Sequence, residues 1–194
     1  MADQKISAMP SAATLTGAEL VPLVQSGANV QATLDTLRGY DNAYGGFSDS
    51  TDQTGSVSAG TVMTFDTTDV ADGVTLVSGS RITVPNTGKY NLQFSSQFKN
   101  TNNAQEDVTV WLRINGVDLA NSATQYTIPQ RKSAGIFGYG VASLTFLLSL
   151  SANDYVQLVW LPTNTTVTLE ALPSSVTPAY PAIPSIIATM VQVA

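Results

Sequence analysis

The densest set of groups that could do chemistry is acidic. Asp66, Asp69 and Asp72 fall within the run Asp66-Thr67-Thr68-Asp69-Val70-Ala71-Asp72-Gly73. Carboxylates at this density beside a glycine suit Ca²⁺, a hard cation that takes about 6–8 oxygen ligands. The calcium loop of helix–loop–helix proteins alternates its acids and closes with a later Glu. This run does neither, so it reads as a solvated loop. Glu106-Asp107 and Asp49 with Asp52 read likewise as surface pairs. General acid–base work needs carboxylates that meet across a cleft with pKa values pushed apart, and these neighbours in Asn- and Gln-rich stretches form no such pattern. Lys99, Arg131 and Lys132 flank polar loops; the Arg131-Lys132 pair could meet an acidic neighbour but reads as solvated. No catalytic residue, metal ligand or cofactor is assigned.

Composition narrows the field further. The chain has 194 residues, no Cys and no His. Zinc, haem and iron–sulfur sites built on those residues are excluded, as are Cys nucleophiles and Ser-His-Asp triads. With 8 Lys+Arg against 14 Asp+Glu and a net charge of −6, nucleic acid is not an expected partner, because phosphate binding is carried mainly by Lys and Arg. Charged residues make up only 11 % of the chain, while hydrophobic ones make up 43 %. That balance is not the low-hydrophobicity, high-charge signature of disorder. The most apolar run, Val141 to Leu150, is broken by Ser143, Thr145 and Ser149. A spanning helix needs about 20 apolar residues, so no membrane partner is expected. Met1-Ala2-Asp3-Gln4-Lys5-Ile6 lacks the basic start and apolar run of a signal peptide, and synthesis in a cytoplasm is the expectation.

The elements that must position these residues are strands. Arg81 to Phe94 gives Ile82 and Val84, a turn at Pro85-Asn86-Thr87-Gly88, then Tyr90, Leu92 and Phe94 on one face with Asn91, Gln93 and Ser95 opposite. That alternation marks a half-buried strand. Val108, Val110, Leu112 and Ile114 form the next stripe, ending at Asn115-Gly116, a strong two-residue hairpin signal because both turn positions need positive φ. Leu144, Phe146, Leu148 and Leu150 follow; then come Val156, Leu158 and Trp160, and then Val167, Leu169 and Ala171. No stretch of helical length carries a 3.6-residue apolar period. The fold class expected is all-β, an antiparallel sandwich.

The organisation reads as residues 1–40, an arm with a short β-hairpin; 41–56, a Gly-, Ser- and Asp-rich linker; and 57–194, the sandwich. In the arm, Glu19 to Gln25 and Val30 to Leu34 are strand candidates around a turn at Ser26-Gly27-Ala28-Asn29, and Asp35 could cap one helical turn. A lone hairpin is marginal in water, so the arm is expected to pack on something else.

The last strand, Ile186 to Val193, is apolar on both faces. Ile187, Val191 and Val193 share one side, and Ile186, Ala188 and Met190 the other. Trp111 lies opposite Val110 and Leu112. Sandwich strands usually show a polar outer face. Trp111, Ile186, Ala188, Met190 and Val191 are therefore expected at an interface between copies. The other reading is core under a loop, with Pro173 to Pro184 as the cover.

Ile82-Thr83-Val84-Pro85-x-x-Gly88-x-Tyr90-x-Leu92-x-Phe94, the strand ending at Asn115-Gly116, the stretch Leu150 to Leu158 and the closing apolar strand together resemble the complement-globular-head and tumour-necrosis-factor-like jelly roll. The resemblance covers roughly residues 45–194. It implies a jelly-roll sandwich that forms a homotrimer, with the last strand near the axis. No Gly-X-Y stalk precedes it. The N-terminal run Lys5-Ile6-Ser7-x-Met9-Pro10-x-Ala12-Ala13-x-Leu15-Thr16-Gly17-x-Glu19-Leu20-Val21-Pro22-Leu23-Val24-Gln25-x-Gly27 resembles a segment shared by tailed-bacteriophage virion proteins. It implies docking on the major capsid protein or another virion protein, through Ile6, Leu20, Val21, Leu23, Val24, Val30 and Leu34.

These resemblances imply a non-enzymatic virion structural protein: capsid decoration or a short head fibre. A tail-fibre or tail-tip receptor binder is the alternative, with Asn100 to Gln105 or Ser122 to Gln130 meeting host surface glycans. A polysaccharide depolymerase is the rival of another class.

Overall fold

The computed structural model describes residues 18–34 and 42–194, and every element defined among them is a strand. The chain separates into two units at Asp41 and Asn42. In the first, β1 (Leu20–Gln25) and β2 (Ala28–Thr33) form an antiparallel hairpin, closed where the Leu34 amide donates to the Glu19 carbonyl at 2.7 Å. Val21 pairs with Ala32 and Leu23 with Val30, so these residues share one face. Ile6 and the helical turn at Asp35 lie outside the described residues.

The second unit is an antiparallel sandwich of jelly-roll type. Its first strands are β3 (Tyr44–Asp49), β4 (Gln53–Thr54), β5 (Thr61–Val62), β6 (Thr67–Asp72), β7 (Thr75–Val77) and β8 (Arg81–Thr83). The central ones are β9 (Gly88–Asn100), β10 (Glu106–Ile114), β11 (Val117–Asp118), β12 (Thr124–Ile128), β13 (Gly138–Leu150) and β14 (Tyr155–Pro162). β15 (Val167–Leu169), β16 (Ser175–Val176), β17 (Ala179–Tyr180) and β18 (Ile186–Gln192) complete it.

One sheet, called the front sheet, runs β13-β9-β18-β3-β6, with β15 and β4 extending it beside the far end of β9. The back sheet runs β11-β10-β14-β8-β7, with β12 on β10 and β5 on β14. Alternation along each strand turns one set of side chains inward. Tyr90, Leu92, Phe94 and Phe98 of β9 meet Val108, Val110, Leu112, Leu158 and Trp160 of the back sheet, all of them buried. The rings of Phe98 and Trp160 pack at a tilt of 51° with centroids 5.5 Å apart. Burying a side chain of this size contributes about 1.5–3 kcal/mol. The Tyr90 hydroxyl donates to the Asn86 carbonyl at 2.8 Å, pinning the turn before β9 to the strand it opens. Asn115 and Gly116 both take positive φ, at 50° and 83°, as the hairpin reading requires.

The expected linker is corrected. Residues 41–56 contain β3 and β4, and β3 sits between β18 and β6 with Phe47 fully buried. The run looked too poor in apolar residues to pack because its strand is built on small ones. A Cβ on Gly45 would lie 2.6 Å from the Phe47 ring, so the absent side chain is the space that the ring occupies. Two further segments expected as loops are also strands. Thr67–Asp72 is the edge strand β6, and most of Ser122 to Gln130 is β12.

Candidate functional site

Asp49, Asp66, Asp69, Glu106 and Asp107 accept from neutral partners. Asp49 accepts from the Thr51 amide at 2.8 Å and from the hydroxyls of Thr51 and Thr64. Asp66 accepts from the Ser50 amide and hydroxyl and from Thr67. The Ser50 hydroxyl, with Thr67 and the Ser50 amide, holds the Asp66 carboxyl below its ordinary range. Asp69 accepts from Ser48 at 3.1 Å. Glu106 takes bonds from Asn102 and Thr163, and Asp107 from Gln125 and Thr127. These bonds tie strand ends and loops together. Among the described residues no group of carboxylates could hold a metal ion. Lys99 forms an ion pair with Glu170, both largely buried, and lies 5.5 Å from the centroid of the Phe137 ring.

The surface features that remain are the outer faces of the two sheets. On the back sheet, Trp111 pairs with Val159, and both turn away from the core. Val159 is nevertheless fully buried. A Cβ on Gly60 would lie 2.4 Å from Trp111 and 2.8 Å from Val159, so the segment leading into β5 lies against both. Arg113 donates to Asp118 at 2.7 Å. That bond, followed by one from the Trp111 indole, holds the Asp118 carboxyl below its usual range. Trp111 is half-buried: the chain's own segment before β5 lies against part of the side chain that was expected at an interface. The Pro173 to Pro184 segment, once a candidate cover, instead folds back on itself as the β16–β17 pair.

Among the described residues, no such segment lies over the outer face of the front sheet. The register places Leu147, Asn91, Val191 and Tyr44 in one row across β13, β9, β18 and β3. Thr145, Gln93, Thr189, Gly46 and Val70 form the next row, reaching β6. Ile187 is 44 % exposed, Val191 38 %, Val70 55 % and Leu147 71 %. Tyr44, Gly45, Gly46, Val70, Thr189 and Val191 line a shallow apolar groove on this face.

Here the expected interface set divides. Ile186, Ala188 and Met190 are fully buried in the core, so their placement between copies is corrected. β18 is central, and one face of a central sandwich strand must fill the core. Val191 is on the open face, with Ile187 and Thr189 beside it. Trp111 and Val191 lie on different sheets and are not brought together. The sequence reading missed Tyr44 and Val70. A detectable signal was an apolar residue alternating out of phase with its strand, as Leu147 does beside Phe146 and Leu148.

The two edges of the front sheet also differ. β6 carries Asp69 and Asp72, is exposed throughout, and pairs to β3 through a register shift at Gly46/Phe47. β13, at 13 residues, contains neither charge nor proline.

In the arm hairpin, Leu20 and Val24 are exposed, while Val21, Leu23, Val30 and Leu34 are half-buried. No family model matches this chain, and no curated protein is found to be similar to it.

Proposed function

We propose that this chain is a structural protein of a tailed-bacteriophage virion, a homotrimer in which residues 42–194 form an exposed knob and the N-terminal arm holds it on the particle, as capsid decoration or a short head fibre. The observation that carries this reading is the apolar outer face of the front sheet, on Tyr44, Val70, Ile187 and Val191. Contiguous apolar surface rimmed by polar residues marks an interaction site more often than a solvated one. Every Å² covered contributes about 25 cal/mol in gross terms. Asp49, Asp66, Asp69, Glu106 and Asp107 support binding over catalysis, because they are spent on hydroxyls and amides. The likeness of residues 5–27 to phage docking segments supports the virion setting. Identical arms on one trimer dock together, and effective concentration turns weak single contacts into durable attachment.

Light scattering on the purified protein tests the assembly, with an expected mass of three times 20.4 kDa or a whole multiple of it. Electron microscopy of virions carrying the labelled protein tests the setting. Label on the head supports decoration, and label confined to the tail overturns it in favour of the receptor-binding reading.

A further inference from the structure

Among the described residues the front sheet ends at β13, a strand paired on one side only. The hydrogen bonds of β9 fix which of its groups are open. The Gln97 amide donates to the Ser185 carbonyl, and its carbonyl accepts from Glu170, so the Gln97 main chain points away from β13. Directly opposed residues of an antiparallel pair either bond each other or both point away. Val141 stands opposite Gln97. Its N–H and C=O therefore face the open edge, as do those of Tyr139, Ser143, Thr145, Leu147 and Ser149. Ser143 has one partner there, the Tyr126 hydroxyl, which donates to its carbonyl at 3.4 Å.

Proteins protect such edges with charge, proline or bulges. The opposite edge of this sheet has acids and a bulge, while β13 has neither charge nor proline over 13 residues. Its sequence is also complementary to itself. Laid antiparallel on a copy of itself about Leu144, it sets Val141 against Leu147, Ser143 against Thr145 and Tyr139 against Ser149. A two-fold axis brings like residues close together, so a charge near Leu144 would repel its own copy. No charge is present. The apolar pair Val141 and Leu147, 59 % and 71 % exposed, falls in register.

We infer that β13 is a strand-addition edge whose partner is β13 of a second copy, paired antiparallel about Leu144. Main-chain bonds supply the affinity, and the Val141–Leu147 contacts set the register. This contact uses the edge of the sheet, so it goes beyond the trimer and does not require it.

A chain without Cys makes the test direct. Residues opposed in a hydrogen-bonded antiparallel pair have Cα atoms about 5.5 Å apart, within the span of roughly 4.4–6.8 Å that a disulfide bridges. V141C and L147C chains, co-expressed and treated with a mild oxidant, should shift on a non-reducing gel from 20.4 kDa to twice that mass. Either variant expressed alone should stay at 20.4 kDa. Cross-linking of a single variant with itself overturns the register. An uncross-linked mixture that still scatters at three times 20.4 kDa overturns the edge pairing and leaves the trimer standing. Cross-linked chains that never reach the trimer mass overturn the assembly reading and leave the edge pairing standing.

Discussion

The two sheets of the body share one core, yet their outer faces are finished differently. The back sheet covers itself: the segment before β5 lies on Trp111 and Val159, and Arg113 is paired to Asp118. The front sheet leaves Tyr44, Val70, Ile187 and Val191 uncovered. An apolar residue pointing outward therefore means nothing until its local cover is known. Trp111 and Val191 looked alike in sequence, yet the segment before β5 lies against Trp111, while Val191 stands 38 % exposed.

Adjacent residues of β18 give the sharpest way to break this contrast. Met190→Asp puts an unpaired charge into the core and should cost about 4 kcal/mol or more, lowering the calorimetric midpoint by roughly 10 °C. A midpoint unchanged by this substitution would remove the assignment of inner and outer faces. Trp111→Ala tests the covered face. It should cost about 2–3 kcal/mol, below the range for a fully buried Trp, and leave the scattering mass alone. Loss of the trimer in this variant would return Trp111 to the interface.

Tyr90 probes the core beneath the open face. Burial raises its phenol above the ordinary 10.0. The folded value exceeds the unfolded one, so the stabilisation is complete below the unfolded pKa and is lost as pH rises through the folded value. The urea midpoint should fall as pH rises above about 10 in the native chain and fall less in Tyr90→Phe. Parallel curves would show that the hydroxyl does not sense burial. The smallest effect on folding belongs to Val191→Asp, expected within about 0.5 kcal/mol for a surface site. Its expected effect on assembly is loss of the trimer, so that light scattering shows nothing larger than the two copies that β13 pairing holds, twice 20.4 kDa. A trimer that survives this substitution sinks the front-sheet interface.

Strand identity was legible because it is a local property. The stripes at Tyr90-Leu92-Phe94 and Val108-Val110-Leu112 needed only the period of 2, and Asn115-Gly116 needed only its φ. β3 was illegible for the opposite reason: Gly45 packs through the absence of a side chain, and Gly46 and Ser48 are small and not apolar, which a search for apolar residues passes over. The two apolar faces of β18 were visible, but which one fills the core depends on its neighbours β9 and β3, both distant in sequence. Cover is the least local property. Nothing near Trp111 in the chain announces that Gly60 will approach it.

The way the carboxylates are bonded reaches beyond the fold. Asp49, Asp66, Asp69, Glu106 and Asp107 lean on hydroxyls and amides, and the ion pair Lys99–Glu170 is largely buried. Dissolved ions screen exposed charge pairs, and they act far less on short hydrogen bonds and buried pairs. A body held this way keeps nearly the same stability in dilute medium and in brine, where a surface knitted from exposed salt bridges would loosen.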